Sequence, residues 1–81
     1  MDDGKRKNGW RTDIFSDPAF EHLVAELHFD GSLVLVLDRE EGRDAVSVSF
    51  PDASKEGGLG ARVRLADFKQ ALEAAVENLN R

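Results

Sequence analysis

The run from Leu27 to Phe50, LHFDGSLVLVLDREEGRDAVSVSF, constrains the fold of this chain more than any other segment. It contains apolar or alternating stretches of strand length, separated by turn-forming residues at Asp30-Gly31 and at residues 40–43. Asp-Gly between two strands is typical of a two-residue hairpin loop, because both residues tolerate a positive φ. The run therefore predicts three consecutive antiparallel strands joined by two tight turns.

Two further elements complete the predicted fold. Pro51 ends the third strand by withdrawing a ladder donor, and after a glycine-rich loop residues 61–65 predict a short fourth strand. An apolar stripe with helical spacing follows, formed by Phe68, Leu72, Ala75, Val76 and Leu79. Asp67, with Gln70 three residues later, fits a capping box at the start of that helix. We therefore predict an α+β fold, a four-stranded antiparallel meander with a C-terminal helix packed on one face.

Alternation along the last two strands predicts which side chains face the core. The residues expected to point inward are Val46, Val48, Phe50 and Val63. Those expected to point to solvent are Ser47, Ser49, Arg62 and Arg64. If the helix stripe is the main cover of the sheet, replacing Leu72 with Ala should cost ~2–5 kcal/mol.

The N-terminal part of the chain is predicted to be less ordered. Residues 1–15 are interpreted as a mobile tail, since glycine and asparagine interrupt any regular element. Residues 16–81 are interpreted as a single domain. The Ser-Asp-Pro sequence at 16–18 predicts a short helical turn that passes into a strand at about Leu23. Trp10 is expected to pack against the body of the domain in preference to serving a partner.

Composition narrows the class of protein. A chain of 81 residues without cysteine has no disulfide framework and no thiolate metal site, which fits a cytoplasmic location. No apolar run approaches the roughly 20 residues that span a membrane, so no membrane association is expected. The net charge is −5; residues 1–11 hold four Lys or Arg against two Asp, which leaves −7 on the remainder. Such an acidic body disfavours nucleic acid and attracts basic partners.

No arrangement of residues predicts catalysis. Ser47 and Ser49 have no local base, and carboxylates on an exposed turn lack the burial that would shift their pKa. His22, Glu26 and His28 share a strand face, but six residues place the two histidines about 20 Å apart on a strand. We therefore expect no catalytic residue, no metal and no cofactor.

One alternative function is suggested by the predicted topology. A four-stranded antiparallel sheet followed by a helix resembles the single-stranded-DNA-binding transcriptional coactivators and the Pur-type repeat, which dimerise and use basic and aromatic groups on the sheet. The groups that fit this alternative are Lys5, Arg6, Lys7, Trp10, Arg11, Arg62 and Arg64. The acidic body and the serine-rich sheet face argue against it. A homodimer is an open possibility.

A cluster of acidic residues surrounds the second turn. The predicted partner-binding residues are Asp38, Glu40, Glu41 and Asp44, on one exposed edge of the sheet. Arg39 and Arg43 neutralise them only in part. Such a patch favours fast association with a basic protein, although exposed turns are commonly charged without binding anything.

The same region resembles a set of small bacterial immunity proteins that are encoded beside polymorphic or contact-dependent toxins. The shared features are an acidic strand residue at Glu26, a D-G turn, an apolar strand, an E-E-G turn and a strand that ends at Phe50-Pro51. A helix that opens with D-F follows, here Asp67-Phe68, so the likeness covers residues 20–80.

One feature of the third strand departs from the pattern of these immunity proteins. Ser47 and Ser49 stand where an acidic position is expected. The resemblance implies a cytoplasmic protein that neutralises a cognate toxin domain by stoichiometric binding, without catalysis.

Overall fold

A computed structural model describes residues 6–56 and 58–81 of the chain. Within them, six strands form one antiparallel sheet in which each strand pairs with the next along the chain. The strands are β1 Arg6–Lys7, β2 Trp10–Phe15, β3 Val24–Phe29, β4 Ser32–Asp38, β5 Ser47–Pro51 and β6 Leu59–Arg64. Helix α1, Leu65–Leu79, follows β6 directly. The predicted α+β class and antiparallel order are confirmed, and β1 and β2 extend the predicted four strands to six.

The N-terminal strands correct the prediction of a mobile tail through residue 15. All six residues of β2 are paired with β3, and the Trp10 ring lies 4.8 Å from that of Phe29. Asn8 and Gly9 do not interrupt structure but form a hairpin loop, with φ angles of 56° and 85°. Residues 1–5 of the predicted tail lie outside the described residues. The sheet therefore begins well before residue 16.

The link between β2 and β3 contains a turn where a helical start was predicted. Asp17 accepts hydrogen bonds from the N–H of Ala19 through Oδ1, at 2.8 Å, and from the N–H of Phe20 through its carbonyl, at 2.9 Å. The turn does not continue into a helix, because a single turn has too few hydrogen bonds to offset the cost of helix nucleation. β3 begins at Val24, one residue after the predicted start.

The Asp30-Gly31 hairpin is confirmed. The two residues have φ angles of 50° and 84°, which places both in the left-handed region that this type of two-residue loop requires. β3 and β4 pair on either side of the loop, with one register shift between Leu27 and His28.

Strand register defines two faces of the sheet, which we call the apolar face and the polar face. The apolar face carries Trp10, Thr12, Ile14, Ala25, Leu27, Phe29, Leu35, Leu37, Val48 and Val63, of which only Thr12 is polar. The polar face carries Arg11, Asp13, Val24, Glu26, His28, Val36, Asp38, Ser47, Ser49, Arg62 and Arg64.

Burial on these faces differs from the prediction. The described hydrophobic core is small, with Val24 2%, Val36 4% and Val48 0% exposed. Ser47 and Ser49 were expected to face solvent, yet each is only 3% exposed. They are buried on the polar face because charged side chains of β4 and β6 flank them and hydrogen-bond across the sheet. Alternation correctly predicts that these serines lie opposite Val48, but it does not reveal which side is covered.

Helix α1 begins earlier and packs less than predicted. Its N-cap position is Arg64, which makes no side-chain capping bond, so Asp67 lies within the first turn and the capping-box prediction is wrong. Among the described elements, the helix contacts only β5 and β6, through a Phe68–Phe50 ring contact at 5.1 Å, and none of its residues is buried. The C-terminal part of its apolar stripe is half or more exposed.

The exposure of the stripe changes the expected cost of truncating it. Leu72 is 50% exposed, so replacing it with Ala in the monomer should cost less than about 1 kcal/mol, against the larger value expected for a buried leucine. Thermal unfolding of the monomeric variant measures this directly. Within the described residues, no helix is both long and apolar enough to cross a membrane.

Candidate functional site

The second turn of the sheet is organised around an ion pair between Asp38 and Arg62. Arg62 donates from Nη2 to Asp38 Oδ1 at 2.7 Å and from Nε to Oδ2 at 3.1 Å. The side chain of Asp38 is fully inaccessible, whereas that of Arg62 is 39% exposed. A planar guanidinium matches a carboxylate in this two-point geometry, so the pair fixes β4 against β6 across β5.

The pair shifts the titration of both groups. The hydrogen bonds from Arg62 hold the pKa of Asp38 below its usual range, in spite of the burial that opposes this. The same bonds, with Glu41, raise the pKa of Arg62. Asp38 is therefore ionised at neutral pH, and its negative charge is neutralised within the protein.

Glu41 extends this network to the surface. Its Oε1 accepts hydrogen bonds from Arg62 Nη2 at 2.8 Å and from the Ser47 hydroxyl at 3.3 Å. The side chain is 43% exposed, so it is held in place and still open to solvent. A carboxylate held this way is already ordered before any partner arrives, which reduces the entropy lost on binding.

Glu40 fastens the turn to the loop between β2 and β3. Its two carboxylate oxygens accept from the backbone N–H groups of Glu21 and His22, at 2.8 Å and 2.9 Å. These two bonds, first that from Glu21 and then that from His22, lower the pKa of Glu40. Glu40 thus joins two loops at one end of the sheet.

Replacing Glu40 with Gln should loosen the loop between β2 and β3. An amide has only one acceptor oxygen and no charge, so it cannot satisfy both N–H groups. We expect faster amide hydrogen exchange at Glu21 and His22, with little change in the strands. Glu56→Gln, on a different turn, is the matched control. Equal exchange in the wild-type protein and in Glu40→Gln would show that the two bonds do not order the loop.

Asp44 lies on the outer side of the same turn and is exposed. It borders a shallow depression of about 210 Å³ together with three cationic side chains, Arg43, Arg64 and Lys69. The surface around Asp44 is therefore mixed in charge, because Arg64 and Lys69 add to the partial neutralisation by Arg43 that the sequence predicted.

The four predicted partner-binding residues thus fall into two groups. Asp38 and Glu40 make internal bonds, and Asp38 is buried, so it can influence a partner only through the turn that it positions. Glu41 and Asp44 are exposed on that turn. Partner binding by these residues stays a prediction.

Sequence reasoning missed Arg62, which it assigned to a solvated face. Arg62 and Asp38 are 24 residues apart, and no local signal pairs them. Arg62 pairs with Ser49 on the neighbouring strand, so the two side chains lie on the same face of the sheet. The sequence indicates this only once the strand register is known.

A second polar cluster lies on the same polar face, on the neighbouring strands β2 and β3. Asp13, Glu26 and His28 each bring one ligand atom within 4.8 Å of the others, so the shared face of Glu26 and His28 is confirmed, whereas His22 precedes β3 and does not share it. His28 Nε2 is 3.0 Å from Glu26 Oε1, and Arg11 Nη2 is 3.0 Å from Asp13 Oδ2. Three such atoms match the spacing of ligands around a divalent cation. The positive charge of the Arg11 guanidinium beside Asp13 disfavours a bound cation and supports an ion-pair network instead.

Comparisons with protein-family models, with curated proteins and with solved structures found no match to this chain. The fold defines it only as a small α+β domain with a six-stranded antiparallel meander. Its function has to be argued from the ordered turn and from the exposed surfaces.

Proposed function

We propose that this chain is an immunity protein, which binds and neutralises a cognate bacterial toxin in the cytoplasm by stoichiometric contact and without catalysis. The proposal combines the sequence resemblance with one structural observation, the ordered turn of residues 38–44. Hydrogen bonds that the carboxylates of Asp38, Glu40 and Glu41 accept from within the chain stabilise this turn. A preformed surface of this kind suits tight binding, because little ordering is left to be done on association.

The contact surface in this proposal is centred on Glu41 and Asp44. Both are exposed, and the acidic net charge of the chain favours association with basic partners. Asp38, Glu40 and Arg62 act as positioning residues that keep the turn in place. Toxins that act on nucleic acid carry basic surfaces for phosphate, and an acidic inhibitor is complementary to such a surface.

Neutralising both surface carboxylates should weaken toxin binding. We expect the variant Glu41→Gln/Asp44→Asn to bind the toxin encoded by the adjacent gene about 10-fold more weakly at low salt, mainly through slower association. Surface plasmon resonance at two salt concentrations measures this. Glu77→Gln, on the side of α1 away from its apolar stripe, is the control and should bind as the wild type does.

Two results would separate the parts of this proposal. Unchanged binding by the double variant, with wild-type stability, would move the contact surface away from the turn and leave the immunity role intact. Absence of any binding to the adjacent toxin, and no protection of cells that express it, would overturn the immunity role itself.

A nucleic-acid-binding function is favoured by one observation, the exposed aromatic pair of Trp10 and Phe29. Each ring is 40% exposed on an open sheet, as a stacking platform for bases would be. The other exposed residues on this face include Thr12, Ile14 and Val63, and none of these three carries a positive charge that could contact phosphate. Salt-dependent binding of a labelled single-stranded oligonucleotide, lost in Trp10→Ala, would support this function over toxin neutralisation.

A further inference from the structure

Two apolar surfaces of this chain are uncovered. On the sheet, Ile14 is 60% exposed, and Trp10, Phe29 and Val63 are each about 40% exposed on the apolar face. On the helix, Leu72, Val76 and Leu79 are 50%, 54% and 82% exposed. Single exposed apolar residues are common in monomers, but a sheet face and a helix stripe left open together mark an interaction surface.

The chain does not bring these two surfaces together by itself. Helix α1 contacts β5 and β6 only, at one side of the apolar face. The most exposed sheet residues lie on β2 and β3, at the other side. An open depression of about 370 Å³ lies there, lined by six apolar residues, Ile14, Leu23 and Leu37 among them, and by Asp38 and Arg39. The helix therefore leaves the most exposed apolar part of the sheet uncovered.

The exposed area of the chain is large for its mass. It exposes 6160 Å², whereas a compact monomer of 9.0 kDa exposes roughly 4,850 Å². If residues 1–5 are counted as fully exposed and are removed from both values, the exposed area still exceeds that of a compact monomer by about 700 Å². A stable interface buries about 800 Å² on each partner. The excess therefore matches one protein–protein interface.

We propose that the occupant of these surfaces is a second copy of this chain, in a two-fold dimer in which α1 of each copy lies across the apolar face of the other. One two-fold contact of this kind covers both helix stripes and both sheet faces, because the same pair of surfaces is used twice. The dimensions agree: 15 helical residues span about 22 Å, and the distance from β2 to β6 is about 19 Å.

Charge is consistent with contact through these surfaces only. Each copy carries −5, so two copies repel one another, and an apolar contact is needed to outweigh this repulsion. In a helix with about 100° between residues, the charged residues Glu73 and Glu77 fall outside the stripe formed by Leu72, Val76 and Leu79. A strongly basic partner would instead require acidic groups at the centre of the surface.

Sedimentation equilibrium of the full chain from about 1 µM to about 1 mM tests the proposal. We expect a mass that rises from 9.0 kDa to twice that value. Leu72→Asp on the helix and Ile14→Thr on the sheet should each raise the dissociation constant of the dimer, roughly 100-fold for Leu72→Asp because a charge enters an apolar contact. Ala74→Asp introduces the same charge about 200° away around the helix and should leave the dimer intact.

Contact between copies can be observed separately. In a mixture of isotopically labelled and unlabelled chains, intermolecular nuclear Overhauser effects should join methyl groups of α1 to the rings of Trp10 and Phe29. A chain that stays at 9.0 kDa at every concentration overturns the proposal, whether its helix is exposed or closes on its own sheet. So does a dimer that Leu72→Asp and Ala74→Asp weaken equally. Neither result depends on toxin binding.

Discussion

Arg62→Met is expected to lower the free energy of unfolding by about 3–5 kcal/mol, more than Asp38→Asn, although both substitutions break the same ion pair. The reason is the unequal burial of the two partners. Without Arg62, the carboxylate of Asp38 is left charged and inaccessible to water. In Asp38→Asn, the guanidinium of Arg62 is 39% exposed and still bonded to Glu41. We therefore expect this variant to lose about 1–2 kcal/mol of the free energy of unfolding.

The pH dependence of the two proteins should differ in sign. In the wild type the pKa of Asp38 is lowered by Arg62, so its contribution to stability is present above the unfolded pKa of about 3.9 and is lost as pH falls through the lower folded value. In Arg62→Met, burial dominates and raises that pKa above the unfolded value. Protonation then removes the buried charge, so the contribution of Asp38 to the stability of Arg62→Met becomes less unfavourable as pH falls from 7 towards 4.

Urea unfolding at pH 7, 5 and 4 measures both effects. The gap in the free energy of unfolding between the wild type and Arg62→Met should narrow as pH falls. Arg64→Met is the matched control, since Arg64 lies two residues further along the same face of β6 and should change stability by less than about 0.5 kcal/mol. Equal costs for Arg62→Met and Asp38→Asn at pH 7 would show that Asp38 reaches water.

The size of this effect matters because the domain is small. A chain of 81 residues has a total stability of about 4–12 kcal/mol, so one uncompensated carboxylate removes a large share of it. If Arg62→Met is largely unfolded at pH 7, the same comparison remains accessible at pH 4, where the penalty is smaller.

Local chemistry explains which elements could be predicted from the sequence. The Asp30-Gly31 hairpin depends on two adjacent residues that tolerate a positive φ, and its strands follow from the apolar run on either side. The α+β class and the terminal helix follow from periodicity in the same way. Strand β2 was missed because the glycine and asparagine residues before it were expected to interrupt regular structure, although its own residues alternate as in a strand.

The candidate site was predicted only in part for a different reason. Asp38, Glu40 and Glu41 were identified because they cluster in sequence, but Arg62, which neutralises the buried carboxylate of Asp38, lies 24 residues away. Periodicity gives the relative orientation of side chains along one strand and says nothing about which face is covered. The helix stripe was likewise recognised correctly, but only its N-terminal part, at Phe68, packs on the chain's own sheet.

Val48→Ala is the second large effect that we expect, at about 2 kcal/mol. Val48 is 0% exposed, and removing its two methyl groups loses apolar burial and leaves a cavity that the strands cannot fully close. Its cross-strand partner Val63 lies on the same apolar face but is 39% exposed, so Val63→Ala should cost less than about 1 kcal/mol in the monomer.

These two substitutions isolate burial from strand propensity. Val48 and Val63 pair directly on neighbouring strands, and each loses the same two methyl groups on replacement by Ala, so the loss of β propensity is similar at both positions. Urea unfolding of dilute protein, where any dimer is dissociated, compares them. A cost for Val63→Ala as large as that for Val48→Ala under these conditions would mean that α1 closes over its own sheet in solution. That arrangement would leave no apolar face for a second copy to cover.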